Sequence, residues 1–207
     1  MKSALRTLLV IMSGVLMGIN AMAQQGYNPG NKVDDFSLSS LGSGEYVLSK
    51  TKPTTSAVVV IFASAACKEA PTSMEQIQMI YDLYAEKGVD IVVINPNDAT
   101  QSPDDAEGVL IDHMMVKPVP YLYLKDNDQA VAKKFGVTKM PYAYILTKDG
   151  DDFRVVCKGA INTNSNAGAD ETAIGFISKE IQHVLSGEPV EGVLKENNGC
   201  PVIWKKK

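Results

Sequence analysis

Three cysteines carry the reactive chemistry of this chain: Cys67, Cys157 and Cys200. Cys67 follows the apolar run Ala57-Val58-Val59-Val60-Ile61-Phe62-Ala63 and precedes a segment that reads as a helix starting near Pro71. A thiol at a strand-to-helix junction feels the positive end of the helix dipole, which lowers its pKa and favours the nucleophilic thiolate. Lys68, the next residue, adds positive charge. Position 70, where a Cys-x-x-Cys enzyme carries its second thiol, is alanine. A lone thiol that attacks a disulfide becomes trapped as a mixed disulfide until another thiol releases it. Cys200, in a C-terminal tail without helical pattern, is a candidate resolving thiol. Cys157, within Val155-Val156-Cys157, reads as an inert thiol buried in a strand. Cys67–Cys200 and Cys157–Cys200 pairings are both open, and an odd cysteine count leaves one thiol free or paired between chains.

The elements that must position these thiols alternate along the chain. Residues 36–39 and 45–48 flank Gly42-Ser43-Gly44 as an N-terminal hairpin. The Val58 run is apolar throughout, as in a strand covered on both faces. Met74, Ile77, Ile80, Tyr81 and Tyr84 recur at helical spacing over 73–87, and Gly88 ends the helix. Val89-Asp90-Ile91-Val92-Val93-Ile94 is a second buried strand. Helices are expected over 105–115, 129–135 and 171–185, a strand over 142–146, and a turn at Lys148-Asp149-Gly150-Asp151 leading into residues 153–157. This order predicts an α/β fold, a central mixed β-sheet with helices on both faces and an N-terminal β-hairpin extension. Cys67 then lies at the C-terminal edge of an interior strand, where open α/β sheets place their chemistry.

The N-terminus sets the compartment. Lys2 and Arg6 precede an apolar stretch from Leu8 to Met17, and Ala21-Met22-Ala23 has the small-x-small pattern of a cleavage site. Residues 1–23 read as a cleaved signal peptide, the alternative being a retained anchor. Export, periplasmic or secreted, allows disulfides to persist. The remaining ~184 residues are expected to form one domain over 24–188 and an extended tail over 189–207. Its charge of about −6 and single arginine, Arg154, argue against nucleic acid. No second apolar run predicts membrane contact once the signal is removed. The histidines, His113 and His183, have no ligand-spaced neighbours, so no metal is expected. The polar run Asn162, Asn164, Asn166 and Asp170 lacks a calcium-loop pattern, and no phosphate-cradling glycine motif is present. No cofactor is therefore implied. Asp104, Asp105 and Glu107 read as acids complementing a helix start.

Taken together, the residues resemble the thioredoxin-fold superfamily, in its peroxiredoxin-like or redoxin (AhpC/TSA-like) branch. The resemblance runs from about residue 31 to 187. It rests on the Val58-to-Cys67 strand and thiol, Val93-Ile94-Asn95-Pro96-Asn97-Asp98, Pro120-Tyr121-Leu122-Tyr123, the segment from Phe135 to Pro141, and Gly159-Ala160-Ile161. Gly199-Cys200 followed by Trp204 is similar to a C-terminal element of that branch. The resemblance implies a thioredoxin-like three-layer fold and a cis Met140–Pro141 bond facing the thiol. A backbone edge so turned can pair with an extended substrate peptide, which makes Met140, Pro141 and Lys68 candidate substrate-binding residues. The chain departs from the family pattern at Ala66 and Ala70, and from the peroxidatic frame at Val60 and Ser64. Arg154 does not match the family's catalytic arginine.

Two functions follow. One is an exported thiol-disulfide oxidoreductase or antioxidant-type protein acting on protein or small-molecule thiols and disulfides, with Cys67 as nucleophile and Cys200 as the candidate resolving thiol. The other is a thioredoxin-fold binding module that uses the Pro141 edge without turnover.

Overall fold

The computed structural model describes residues 26–42, 44–68, 70–161, 174–193 and 199–206. The predicted signal peptide and the Asn162–Asp170 polar run lie outside these residues, as does the expected start of the last helix at residue 171. In chain order the elements are β1 (Lys32–Val33), β2 (Ser37–Ser40), β3 (Glu45–Val47), β4 (Ala57–Phe62), α1 (Ala70–Tyr84), β5 (Val89–Asn95) and α2 (Glu107–Val116). They continue with β6 (Leu122–Lys125), α3 (Ala130–Phe135), β7 (Lys139–Met140), β8 (Tyr142–Asp149), β9 (Asp152–Gly159), α4 (Gly175–Ser186) and β10 (Cys200–Pro201).

Eight strands form one mixed sheet in the order β1-β9-β8-β4-β5-β6-β2-β3. β4 lies inside it, parallel to β5 and antiparallel to β8. The two crossovers through α1 and α2 keep β4, β5 and β6 parallel. The N-terminal hairpin extends this sheet, because β2 pairs with β6.

Alternation along β4 divides the core. Ala57, Val59 and Ile61 pack with Ile77, Ile80 and Tyr84 of α1, Leu110 of α2, and Ile177 and Ile181 of α4. Val58, Val60 and Phe62 face the other way, toward Val131, Ala132 and Phe135 of α3 and Phe36, Leu38 and Tyr46 of the hairpin. All six β4 side chains are buried, as expected for a strand sandwiched between two helical layers. Phe135 centres the second layer, with ring contacts to Tyr27, Phe36, Phe62 and Tyr144. Its carbonyl also accepts the Tyr144 hydroxyl at 2.6 Å.

Some boundaries differ from expectation for identifiable reasons. The helix expected from residue 105 begins at Glu107, because a 3-10 turn, Pro103–Asp105, first carries Asp105 into the interior. α3 begins one residue later than expected, after Gln129, which has a left-handed backbone at φ 61°. α1 ends at Tyr84 and a 3-10 turn continues it to the left-handed Gly88. The β8 strand runs three residues past the expected end at 146. The short strands β1, β6 and β10 were not legible as strands.

Replacing Phe135 by alanine removes a fully buried ring from four aromatic contacts and should destabilise the protein by about 3–5 kcal/mol. Denaturant unfolding checks this, with an unchanged slope and a lowered midpoint as the expected result.

Candidate active site

β4 delivers the chain to the sheet's C-terminal edge at Phe62, and the loop that carries Cys67 follows, before α1 begins at Ala70. Ala63 N–H still bonds to the Ile94 carbonyl at 3.0 Å, so the loop leaves from a fixed point. Cys67 lies just before α1, and its carbonyl accepts the Ala70 N–H at 2.8 Å. The cysteine is only 7% exposed. Lys68, beside it, is exposed.

What fixes this loop is a buried carboxylate that the sequence reading treated as a helix-start acid. Asp105 is fully buried. It accepts the Ala65 and Ala66 N–H groups at 2.9 and 3.2 Å, together with the Ser64 hydroxyl at 2.8 Å. Asn95 and Asn97 donate their amides at 2.8 and 2.7 Å, and Ser102 its hydroxyl at 2.7 Å. Burial alone would raise the Asp105 carboxyl, but hydrogen bonds from Asn97, Ser102, Asn95 and Ser64 together hold it below the usual carboxylate range. The buried Lys125 ammonium donates to Asn95 Oδ1 at 3.1 Å and to the Asn97 carbonyl at 2.6 Å. Burial pulls the Lys125 pKa down, and Asp105 and Asp126 oppose that. A sequence signal existed in Asn95-x-Asn97, two amides that end a buried strand and need a buried partner.

The opposite wall is β7 and the residue after it. The Met140–Pro141 bond is cis. Along β7 runs β10, antiparallel, with Cys200 opposite Met140 and Pro201 opposite Lys139. Cys200 is bonded to Cys67, with Cα atoms 5.8 Å apart and 133 residues between them in sequence. Of the two pairings left open by the sequence, the structure therefore holds Cys67–Cys200. Cys157 remains a free thiol in β9, opposite Ile145 and fully buried. Burial chiefly, and then Glu180 and Glu191, push its pKa up to about 12.

Beyond Cys200 the tail is bound from Val202 to Lys205. Val202 N–H donates to the Thr138 carbonyl at 3.0 Å, and the Val202 side chain is buried in the second core layer. Ile203 N–H reaches Asn97 Oδ1 at 2.8 Å, and its carbonyl accepts from Asp98 N–H and Gln129 Nε2, both at 2.9 Å. Asn97 thus touches the Asp105 carboxylate with one end and the cysteine-bearing tail with the other. Gln129 is a second tail-binding residue that the sequence did not reveal.

Other candidates lie elsewhere. Arg154 pairs with Asp149 and donates to the Gly30 carbonyl at 2.9 Å. It is opposite Thr147, which is itself opposite Ala57 at the start of β4, so it sits at the far end of the sheet from Cys67. His113 lines an apolar cleft of about 470 Å³ between α1 and α2, and His183 faces Glu188 at 3.5 Å. Among the described residues no group of three or more His, Cys, Asp and Glu side chains could hold a metal ion. No helix among them is long and apolar enough to cross a membrane.

With this geometry in view, the sequence from residue 29 to 151 matches the AhpC/TSA family model. The chain belongs to the AhpC/TSA family. Its fold is thioredoxin-like, in the redoxin branch of that superfamily. A hypothetical protein from Sinorhizobium meliloti is 25% identical, with a TM-score of 0.77 over 88% of this chain and 97% of that one. An uncharacterised conserved protein from Geobacillus kaustophilus is 24% identical, with a TM-score of 0.75 over 88% and 95% of the two chains. A candidate thiol:disulfide interchange protein DsbE from Chlorobium tepidum is similar in fold, at 21% identity and a TM-score of 0.60 over 77% and 99%. No curated protein gives a significant match. Among the described residues Arg154 is the single arginine, and it lies away from Cys67.

Two buried carboxylates should give opposite pH responses. Asp105, with a depressed folded pKa, contributes stability that is present above the ordinary carboxylate value near 3.8 and is lost as pH falls below it. Asp126, at the start of α3, accepts Ala132 N–H at 2.8 Å, and burial raises its pKa to about 6. The folded state then holds a proton that the unfolded state has released, so its contribution falls as pH rises from about 4 to 6. Unfolding midpoints measured from pH 2 to 7 should show Asp126→Asn flattening the upper window and Asp105→Asn flattening the lower one. Asp105→Ala, which removes the acceptor shared by six donors, should cost at least about 3 kcal/mol.

Proposed function

We propose that this protein is an exported thiol-disulfide oxidoreductase in which Cys67 is the attacking thiol and Cys200 resolves the adduct. The observation that carries the reading is the bond between these two cysteines, one at the start of α1 and the other held against β7. It supplies the second thiol that Ala70 withholds.

In the reduced protein the Cys67 thiolate, at the start of α1, attacks one sulfur of a substrate disulfide. The substrate S–S bond breaks, and the departing sulfur takes the electron pair and then a proton. The Cys200 thiolate attacks Cys67 Sγ, expels the second substrate thiolate and forms the Cys67–Cys200 disulfide. Two electrons have moved to the substrate, and an external dithiol or pair of thiols must restore the protein. Lys68, next in sequence, adds positive charge beside the thiolate. Peroxide reduction is the weaker assignment, because Arg154 stands at the opposite end of β4.

Export fits the same picture. The N-terminal pattern is that of a secretory signal, and a disulfide spanning 133 residues of sequence suits an oxidising space. The binding-module reading loses ground because the chain's own tail runs along β7, the edge such a module would offer.

With dithiothreitol as reductant and a chromogenic aromatic disulfide as substrate, the wild type should turn over repeatedly. Cys67→Ser should lose the activity. Cys200→Ser should accumulate a mixed disulfide on Cys67, seen as a mass increase under non-reducing conditions. A Cys67→Ser variant as active as wild type would sink the proposal.

A further inference from the structure

The tail is held by two sets of contacts that differ in their dependence on oxidation. The first is the Cys67–Cys200 bond with the adjoining pairing of Cys200 and Pro201 to β7. The second involves no cysteine. It comprises Val202 N–H on the Thr138 carbonyl, the buried Val202 side chain, both backbone groups of Ile203, and two further main-chain groups. These are the Trp204 carbonyl, which accepts from Gln101 Nε2 at 2.7 Å, and Lys205 N–H, which reaches Gln129 Oε1 at 2.8 Å. Lys133 lies over the Trp204 ring at 5.8 Å. The receiving groups are themselves fixed. Gln129 is buried and also donates to the Pro96 carbonyl at 2.7 Å, and Asn97 is tied to Asp105. Reduction breaks the sulfur–sulfur bond itself, and neither the β7 pairing nor the second set is made through a sulfur.

Resting on the exchange reading above, we infer that residues 202–205 are a permanent anchor and the tail a strap that covers the β7 edge in both redox states. The site therefore exchanges with small thiols and disulfides, whereas an extended polypeptide must first evict Cys200 and Pro201 from β7. Tethering sets the local concentration of the strap far above that of a free peptide competing for the same edge. Exposure of the two residues differs in the same sense: Cys67 is buried, while Cys200 is partly exposed.

Reduction then begins at Cys200. A small thiolate attacks Cys200 Sγ, the Cys67–Cys200 bond breaks, and the electron pair leaves on Cys67 Sγ at the start of α1. A second small thiolate attacks the sulfur of the first in the mixed disulfide and expels the Cys200 thiolate. Two small thiols become one disulfide, and the protein gains two electrons and two protons.

The test uses the full-length protein with 2-mercaptoethanol and with the peptide Asn-Gly-Cys-Pro-Val-Ile-Trp-Lys-Lys as reductants. At equal thiolate concentration the small thiol should reduce the wild-type disulfide at least about tenfold faster than the peptide. Gln129→Ala and Val202→Asp, which loosen the anchor without touching either cysteine, should raise the peptide rate about tenfold and change the small-thiol rate far less. Hydrogen exchange provides the independent readout: the Val202, Ile203 and Lys205 amides should stay protected after reduction. Loss of that protection with normal exchange, or equal rates for the two reductants in the wild type, overturns the strap. A disulfide inert to both reductants overturns the exchange reading, and the amide protection then decides the strap by itself.

Discussion

One buried carboxylate organises everything near the thiol. Asp105 carries a negative charge into the buried interior, and that is tolerable only because six hydrogen bonds converge on it. Those donors come from three separate stretches of chain: the loop before Cys67, the end of β5 and the turn before α2. Satisfying one charge therefore fixes three segments at once. The ammonium of Lys125, one amide away through Asn95, offsets the charge without touching it. A polar cluster of this kind specifies geometry more sharply than apolar packing, because each member has a direction as well as a position.

The sheet does the coarser work. Parallel crossovers through α1 and α2, both in the same core layer, leave β4 and β5 ending at the same edge, and the thiol loop, the Asn95-to-Asp98 segment and β7 meet there. The two core layers hold β4 from both faces and fix where Phe62 ends. From that point the polar cluster takes over, placing Ala65 and Ala66 by their N–H groups. The tail is then drawn into the same lattice through Asn97, so one network supports both halves of the disulfide.

How much of this the sequence declared depended on whether the signal was local. The apolar run of β4, the helical spacing of α1 and the thiol between them are local patterns, and each appears where its residues said it would. The alternation of elements was enough for the class of fold. β6 escaped notice because it is four residues long and ends in lysine, a residue that ordinarily argues against a buried strand. Asp105 was misread because an acid near a helix start has a sufficient explanation in the helix dipole, and only the tertiary fold shows its donors. β10 and the tail contacts of Gln129 are products of a long-range return of the chain, with Cys200 opposite Met140 and Gln129 bonded to Ile203 and Lys205. No window of sequence contains that information. The choice between the two cysteine pairings was undecidable for the same reason.

The position of Cys157 has a consequence for how the protein becomes oxidised. Three thiols allow three single disulfides, and in an oxidising compartment each is a competing product. Cys157 is removed from that competition by its dielectric surroundings. Packed among aliphatic side chains and near two carboxylates, with its pKa pushed up to about 12, it holds its proton at any physiological pH and offers almost no thiolate. Enclosure of Cys157 in β9 therefore favours the Cys67–Cys200 pairing over the two isomers that would use Cys157, and the fold acts as a filter against them.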